Sequence, residues 1–255
     1  MEKYSIPVTY FVNSVQISKE FGLAFGQGCN GSIFSAPNIL KSGDVAMFGN
    51  PANWEVLQAA IKDGRNWYYG DKAYFGRGKY YRITRNAYQS DCKGRVDSSR
   101  WENLKIALNR WQSGSKVLIC QQSEAFYALH GQNRSEWVNN TISELRKYTD
   151  RPIEIRSKIW GSETEALFKE SLIDVHAVIV YSSVSGVQAA IHGIPCFATE
   201  KCASLAFGTS DLSKIENPVK PDNRYEMACV LANNQWTLNE IRNGTAWRDL
   251  NENME

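Results

Sequence analysis

The sequence predicts an α/β fold of two Rossmann-like lobes, with parallel sheets and a cleft between the lobes. From residue 116 onward, short apolar runs alternate with amphipathic segments, which is the pattern of βαβ units. One of these runs, residues 177–181, is β-branched and continuous, as expected of a strand that is covered on both faces. The length of 255 residues allows two lobes that each bury a core.

The C-terminal half is predicted element by element from the spacing of its apolar residues. Val138, Ile142 and Leu145 recur at the spacing of a helix. Ser162 is the expected N-cap of the next helix, and Gly193 is the expected C-cap of the last one. The elements expected, in order, are strand 116–122, helix 135–148, strand 152–156, helix 163–172, strand 177–181, helix 184–192 and strand 194–198.

The N-terminal half has a less regular pattern. The Gly-rich segment 21–31 contains the spacing GxGxxG, but it leads into a strand-like run and not into a helix. We therefore predict a loop there that lets the backbone approach a ligand closely. The other expected elements are strand 8–12, an apolar run at 44–48, helix 54–63, strand 67–71, strand 79–88 and a tail helix 236–250 broken at Asn243 and Gly244. The expected domains are 1–110, 111–235 and a closing helical segment, 236–255.

The composition excludes several classes of protein. Hydrophobic residues make up 43% of the chain and charged residues 22%, which is typical of a globular protein. The apolar start lacks a basic leader, and no stretch reaches the roughly 18 apolar residues of a membrane-spanning helix. The six cysteines show neither CxxC spacing nor a cluster with histidine, so no zinc site or disulfide framework is expected. We expect a soluble, cytoplasmic protein without a bound metal or cofactor.

Polar residues follow three predicted strands, at the edge of a parallel sheet where ligands bind. The third of these loops, residues 181–186, is rich in serine and opens a helix, which favours a phosphate. The alternative is that Ser182 or Ser183 only caps that helix. Two cations on a neighbouring loop favour the phosphate site. The candidate ligand-binding residues are Gln122, Ser123, Arg156, Lys158, Ser182, Ser183, Ser185 and Gly186.

The stretch 176–197, HAVIVYSSVSGVQAAIHGIPCF, resembles the donor-binding segment of two-lobed (GT-B-type) glycosyltransferases. The similarity is to the capsule-polysaccharide transferase group and its phage-encoded, DNA-modifying relatives. The matching features are the pair Ser182-Ser183 after a strand, a small-residue helix, and Gly-hydrophobic-Pro at 193–195. A basic strand-end motif of that family is matched at 156–158, without the proline that commonly follows it.

The resemblance implies a glycosyltransferase that uses a nucleotide-sugar donor, such as a UDP-sugar, without a bound metal. In that role Ser182, Ser183 and Ser185 would contact the donor phosphates, and Arg156 and Lys158 would neutralise them. A phage-encoded protein of this kind would work in the cytoplasm of the host.

Two residues are candidates for the general base that such a transfer needs. Asp71 ends an aromatic strand and precedes a Gly-rich turn, so it can point into a cleft between the lobes. The alternative for Asp71 is an ion pair with Arg77 or Arg82. His130, beside Gly131 in a loop, is the one histidine placed to act as a base, since His176 and His192 flank predicted core elements.

The nature of the acceptor is indicated by a basic, aromatic segment between residues 62 and 110. This segment contains twelve Lys or Arg and five Asp or Glu. Cations interleaved with aromatic rings suit a polyanion, and the alternative is a solvated basic face over a Tyr-rich core. The candidate polyanion-binding residues are Tyr74, Arg77, Lys79 and Arg82. One hypothesis is that the acceptor is a hydroxymethylated pyrimidine of double-stranded phage DNA. The alternatives are a capsule or surface glycan as the acceptor, or a non-catalytic protein that binds a nucleotide sugar or nucleic acid.

Overall fold

A computed structural model describes residues 8–11, 16–34, 43–49, 54–158 and 164–252 of the chain. The chain divides into two compact units, a first unit of Met1–Ser90 with Ala232–Glu255 and a second unit of Asp91–Leu231. The sequence predicts these boundaries at 110/111 and 235/236, and the structure has them at 90/91 and 231/232. Residues just before 110 join the second unit because Asn109 N donates to Ile191 O at 3.0 Å. Arg224 Nη2 also donates to Asn109 O, at 2.6 Å.

The described part of the chain up to residue 90 contains five strands and two helices. The predicted strands and the helix near residue 54 are all present, with bounds that differ by a few residues. The elements are β1 (Val8–Phe11), α1 (Gln16–Cys29), β2 (Ser32–Phe34), β3 (Asp44–Phe48), α2 (Trp54–Lys62), β4 (Trp67–Lys72) and β5 (Tyr80–Arg85).

Residues 91–233 contain the βαβ pattern that the sequence predicts. Each strand and helix expected between 116 and 198 is found, although the predicted N-cap Ser162 lies outside the described residues. The elements are α3 (Ser99–Leu104), β6 (Lys116–Cys120), α4 (Glu124–Leu129), α5 (Arg134–Leu145), β7 (Ile153–Arg156), α6 (Thr164–Ser171), β8 (Val175–Val180), α7 (Ser185–Ile191), β9 (Cys196–Ala198), α8 (Ala203–Ala206), β10 (Gly208–Thr209), a 3-10 turn at Leu212–Lys214 and α9 (Arg224–Asn233).

The tail consists of β11 (Gln235–Thr237), α10 (Leu238–Arg242) and α11 (Thr245–Glu252). The predicted break at Asn243 and Gly244 is confirmed, because these two residues separate α10 from α11. Trp236, expected at the start of a helix, lies instead in β11. The helix α10 begins only after Thr237, where Glu240 N donates to Thr237 Oγ1 at 3.2 Å and Thr237 N donates to Glu240 Oε2 at 2.7 Å. This reciprocal pair is a capping box, which fixes the start of the helix.

The first unit is built on a mixed sheet. Among the described residues its strand order is β11-β5-β4-β3-β1-β2. The pairs β1–β2, β1–β3 and β3–β4 are parallel, whereas β4–β5 and β5–β11 are antiparallel. The parallel sheet expected for this half is therefore extended by two antiparallel strands. The connection between β4 and β5 is only residues 73–79, too short for the crossover that a parallel pair needs.

The Gly-rich segment 21–31 is helical up to Cys29, so the prediction of a loop there is wrong. Phe21 and Phe25 lie one turn apart and pack into the core of the first unit, where Phe25 contacts Tyr68. Gly28 is required by close packing, since a Cβ at this position would lie 2.0 Å from the carbonyl oxygen of Ile241 in α10. Burial of the two rings and this close approach outweigh the low helix propensity of glycine.

The second unit is built on a parallel sheet with the strand order β10-β9-β8-β6-β7, which confirms the prediction for this half. Alternate residues of β6 and β8 pack on opposite faces, so the sheet is covered on both sides. The chain passes from β6 to β7 on one side and then returns to β8 on the other side of β6. In open α/β sheets, ligands bind at the carboxyl ends of the strands where the order reverses. That point lies here between β6 and β8.

Candidate functional site

The loops that follow β6 and β8 are joined by the side chain of Gln122. Its Oε1 accepts from Ser182 N at 3.0 Å, and its Nε2 donates to Ser182 O at 3.0 Å. The sequence predicts Gln122 as a ligand-binding residue, and the structure shows its amide group bonded to the main chain of the neighbouring loop. Gln122 thereby fixes the spacing between the two loops at the point where the strand order reverses.

The serine-rich segment Ser182–Gly186, here called the seryl loop, lies at the carboxyl end of β8. Ser182 is buried, with 2% of its surface exposed, whereas Ser183 and Ser185 are half-buried. Ser183 Oγ accepts from Ser185 N at 3.2 Å and lies 3.1 Å from Ser185 Oγ. Two hydroxyl groups are therefore paired at this end of the sheet.

Ser123, also predicted as a ligand-binding residue, lies at the end of the loop that follows β6. It precedes α4 in an extended conformation, and its side chain makes no capping hydrogen bond. Its hydroxyl group is therefore not used for the capping role that serine commonly has at such a position.

Arg156 is the last residue of β7, next to the loop that follows β6. Its main-chain oxygen accepts from Gln121 N at 2.9 Å, and its guanidinium lies 5.1 Å from the centre of the Phe168 ring. The Nη2 atom is shielded from solvent and has no hydrogen-bond acceptor among the residues that the structure describes. A buried cationic donor without an acceptor is costly and is normally satisfied by a partner. An anionic ligand would satisfy it.

Lys158, the second predicted cation, is exposed two residues beyond β7. The residue between the two cations, Ser157, donates through Oγ to Gln121 Oε1 at 3.3 Å. The loops after β6 and β7 thus touch each other, as those after β6 and β8 do. All eight predicted ligand-binding residues lie on these three loops or on the strand end and helix start next to them, at one edge of one sheet.

His130 ends α4 and lies against aromatic rings at the same edge. Its imidazole is 4.8 Å from the ring of Phe126 and 5.6 Å, edge to face, from the ring of Tyr181. Burial lowers the pKa of His130, and the charge of Glu200 opposes that shift. Glu200 N donates to Tyr181 O at 2.8 Å, which holds this residue near the same ring. The imidazole is therefore neutral at pH 7, the form that accepts a proton.

Asp71, the other candidate base, lies near the end of β4, at the carboxyl edge of the parallel strands in the first unit. Its Oδ2 is 2.6 Å from Nη2 of Arg82, whose side chain is almost entirely buried. The ion pair named as the alternative for Asp71 is therefore present. Asp71 as a general base stays a prediction.

The aromatic residues between 62 and 110 form core and not an exposed stacking surface. Tyr74 is 1% exposed, and its hydroxyl accepts from Ser90 N at 2.8 Å. Arg82 is 4% exposed and lies 5.2 Å from the Tyr74 ring, whereas Arg77 and Lys79 are exposed. Of the four predicted polyanion contacts, two thus lie inside the first unit: Arg82 in the buried strand β5, and Tyr74 in the connection between β4 and β5. The buried rings are Trp67, Tyr68, Tyr69, Tyr74, Phe75, Tyr80, Tyr81 and Trp101.

Ser204 and Glu200 are site residues that the sequence analysis missed. Ser204 contacts the seryl loop through its hydroxyl group, which donates to Ser183 O at 2.5 Å. The two serines are 21 residues apart, and no spacing rule relates them. The only signal for Ser204 is its place among small residues after β9, which is not specific.

In residues 8–11, 16–34, 43–49, 54–158 and 164–252, no three His, Cys, Asp or Glu side chains are grouped so as to hold a metal ion. Over the same part of the chain, every helix is too short or too polar to cross a membrane.

The sequence matches no family model and no curated protein. Among the solved structures of similar fold are two KpsC transferases of Thermosulfurimonas dismutans. With the beta Kdo 2,4 transferase the TM-score is 0.52 at 11% identity, over 90% of this chain and 91% of that one. With the beta Kdo 2,7 transferase it is 0.51 at 9% identity, over 94% and 99%. At such identities the likeness establishes the fold, which is the two-lobed, GT-B-like fold of glycosyltransferases that the sequence predicts.

Proposed function

We propose that this protein is a glycosyltransferase that moves a sugar from a nucleotide-sugar donor to an acceptor hydroxyl. The observation that carries the proposal is the Arg156 guanidinium, whose buried Nη2 has no acceptor among the described residues. It lies at the carboxyl edge of a parallel sheet, beside the point where the strand order reverses. This is where nucleotides bind in folds of this class. The two transferases of similar fold support the same function.

The donor phosphates are the natural partners of Arg156. Its fork of N–H donors suits a phosphate, and Lys158 adds a second positive charge on the same loop. The hydroxyl groups of Ser183 and Ser185, 3.1 Å apart and half-buried, supply neutral donors on the other side. Gln122 and Ser182 serve as the frame that holds the loops, since their polar groups bond to each other. The donor is a nucleotide sugar, such as a UDP-sugar.

The acceptor hydroxyl needs a group that takes its proton, and two residues fit that role. His130 is neutral at pH 7 and lies at the edge of the sheet that carries the seryl loop. Asp71 is a carboxylate at the corresponding edge of the first unit, where Arg82 holds it in one orientation. A general base is most effective when its pKa lies near the working pH, because it must be both unprotonated and sufficiently basic.

The proposed acceptor is a hydroxyl group of a surface glycan. The structures of similar fold are named for Kdo transfer, which is transfer between sugars. A second candidate is the hydroxymethylated pyrimidine of double-stranded DNA, and the exposed cations Arg77 and Lys79 favour it. Because Tyr74 is buried, its ring cannot stack on a base, and a glycan hydroxyl is therefore the preferred acceptor.

A thermal-shift screen against nucleoside diphosphates and nucleotide sugars tests the donor site. Ligands that bind only the folded state raise its melting temperature. We expect one nucleotide class to raise it, and Arg156→Ala and Ser183→Ala to lose the shift. Ser113→Ala is the matched control, because it removes a serine hydroxyl bonded to His176 Nδ1 at the opposite edge of the sheet. If no nucleotide raises the melting temperature, the proposed function is wrong.

A transfer assay with the donor so identified then separates the acceptors. Turnover with an oligosaccharide, unchanged by added DNA, supports the glycan. Salt-dependent DNA binding, and loss of transfer in Arg77→Glu combined with Lys79→Glu, would favour the modified base. Nucleotide binding without turnover on any acceptor would contradict catalysis and point to a binding protein.

A further inference from the structure

Ser204, in α8, is entirely buried and touches the seryl loop from behind. Its Oγ accepts a hydrogen bond from Val187 N at 3.0 Å and donates one to Ser183 O at 2.5 Å. Both partners belong to the segment that starts α7, while Ser204 belongs to a different element. One hydroxyl group therefore bridges an amide and a carbonyl of the same turn.

The two groups that Ser204 bridges are the ones that would bond to each other in a regular helix. Val187 follows Ser183 by four residues, and an α-helix pairs the N–H of residue i with the C=O of residue i−4. The ladder of α7 itself begins one residue later, where Gln188 N donates to Val184 O at 3.0 Å, and Ser183 O also accepts from Gly186 N at 3.3 Å. The hydroxyl of Ser204 thus takes the place of a direct bond between Val187 N and Ser183 O, just before the helix. Val184, at the N-cap, has a hydrocarbon side chain and cannot satisfy these groups itself.

Gly186 makes room for this hydroxyl group. A Cβ at position 186 would lie 2.6 Å from both Cβ and Oγ of Ser204. No side chain fits there unless α8 moves away, because real Cβ atoms do not approach other atoms so closely. The seryl loop is thus fixed at both ends, by Gln122 on Ser182 and by Ser204 on Ser183 and Val187.

We propose that Ser204 is a positioning residue for the donor site: its hydroxyl holds the main chain at Ser183 and Val187, so that Ser183 and Ser185 present their hydroxyl groups to the donor. This inference rests on the proposed function, in which those hydroxyl groups contact the donor phosphates. Ser204 itself touches no ligand, since it is buried beneath the loop.

Removal of the hydroxyl has a specific expected effect. In Ser204→Ala the amide of Val187 can bond directly to the carbonyl of Ser183, and α7 then begins one residue earlier. The new bond replaces the two that are lost, so the folded state loses little stability. The orientation of Ser183 and Ser185 changes, so the affinity for the donor falls. Loss of affinity without a comparable loss of stability separates a positioning role from a merely structural one.

The experiment compares the unmodified protein with Ser204→Ala, Gly186→Ala and the control Ser113→Ala. Calorimetric titration with the nucleotide found in the screen gives the dissociation constants, and ¹H–¹⁵N spectra report the amides of the loop. We expect about tenfold weaker binding in Ser204→Ala and Gly186→Ala, since one or two hydrogen bonds are misplaced. We also expect shifted amide signals of Gly186 and Val187 in Ser204→Ala, and neither effect in the control.

Equal affinity, or an unchanged Val187 signal, in a folded Ser204→Ala would overturn this inference and leave the proposed function intact. If the unmodified protein binds no nucleotide, the proposed function fails. The amide signals alone then decide whether Ser204 shapes the loop, and unchanged signals reject that as well.

Discussion

Substitution of Gln122 tests whether this residue is the frame of the site. Its amide makes two hydrogen bonds of 3.0 Å to the main chain of Ser182, which is buried. A typical hydrogen bond stabilises the folded state by about 1 kcal/mol, and each buried group left without a partner costs about 1–3 kcal/mol. We therefore expect Gln122→Ala to reduce the free energy of unfolding by about 2–3 kcal/mol. For a chain of this size that corresponds to a melting temperature lower by roughly 4–12 °C.

Urea unfolding, followed by tryptophan fluorescence, measures this difference directly. Gln122→Glu serves as a second variant, because a carboxylate can accept from Ser182 N but cannot donate to Ser182 O. It is expected to be destabilised as well. Gln112→Ala is the matched control, since its exposed amide makes one long hydrogen bond, of 3.3 Å, to His192 O. A Gln122→Ala variant that unfolds at the same urea concentration as Gln112→Ala would refute the assignment of Gln122 as the frame.

Three further substitutions or conditions test other parts of the structure. Asp71→Asn removes the charge that faces buried Arg82 and is expected to cost about 2 kcal/mol in urea unfolding; no change would show that the pair is not stabilising. Gly28→Ala forces a Cβ toward the carbonyl of Ile241 and is expected to cost at least about 2 kcal/mol, so a stable variant would disprove the close packing of α1 on α10. The pKa of His130 is lowered below its usual 6.5, so the unfolded chain binds more protons there, and stability falls as the pH drops below about 6.5 through the folded pKa. His130→Gln should reduce that slope in urea midpoints measured from pH 5 to 8, and an identical slope would contradict a neutral imidazole.

The sheet of the second unit could be predicted because its signals are local. Each strand between 116 and 198 is a short apolar run, and each helix has its own apolar period, so the order of elements follows from the chain itself. The helix α1 could not be predicted in the same way. Its glycines argue against a helix, and the contact of Gly28 with Ile241 that requires them joins residues far apart in sequence.

The sequence predicted which loops form the candidate site, but not what each residue on them does. Parallel strands bring their carboxyl ends together, so polar residues after β6, β7 and β8 had to lie at one edge. The bonds between Gln122 and Ser182, and between Ser204 and Ser183, depend on side-chain directions that no sequence pattern contains. Tyr74 shows the same limit, since a basic and aromatic run has the same composition whether its rings are exposed or buried.

The most direct test of the account is to locate the bound nucleotide on the protein. A ¹⁵N-labelled sample is titrated with the nucleotide sugar that raises the melting temperature, and amide shifts are followed by residue. The account predicts saturable changes at Gln122, Arg156 and the seryl loop, with none at the amino ends of the same strands, such as Lys116. Changes that cluster elsewhere, or that persist unaltered in Arg156→Ala, would contradict a donor site at the carboxyl edge of this sheet.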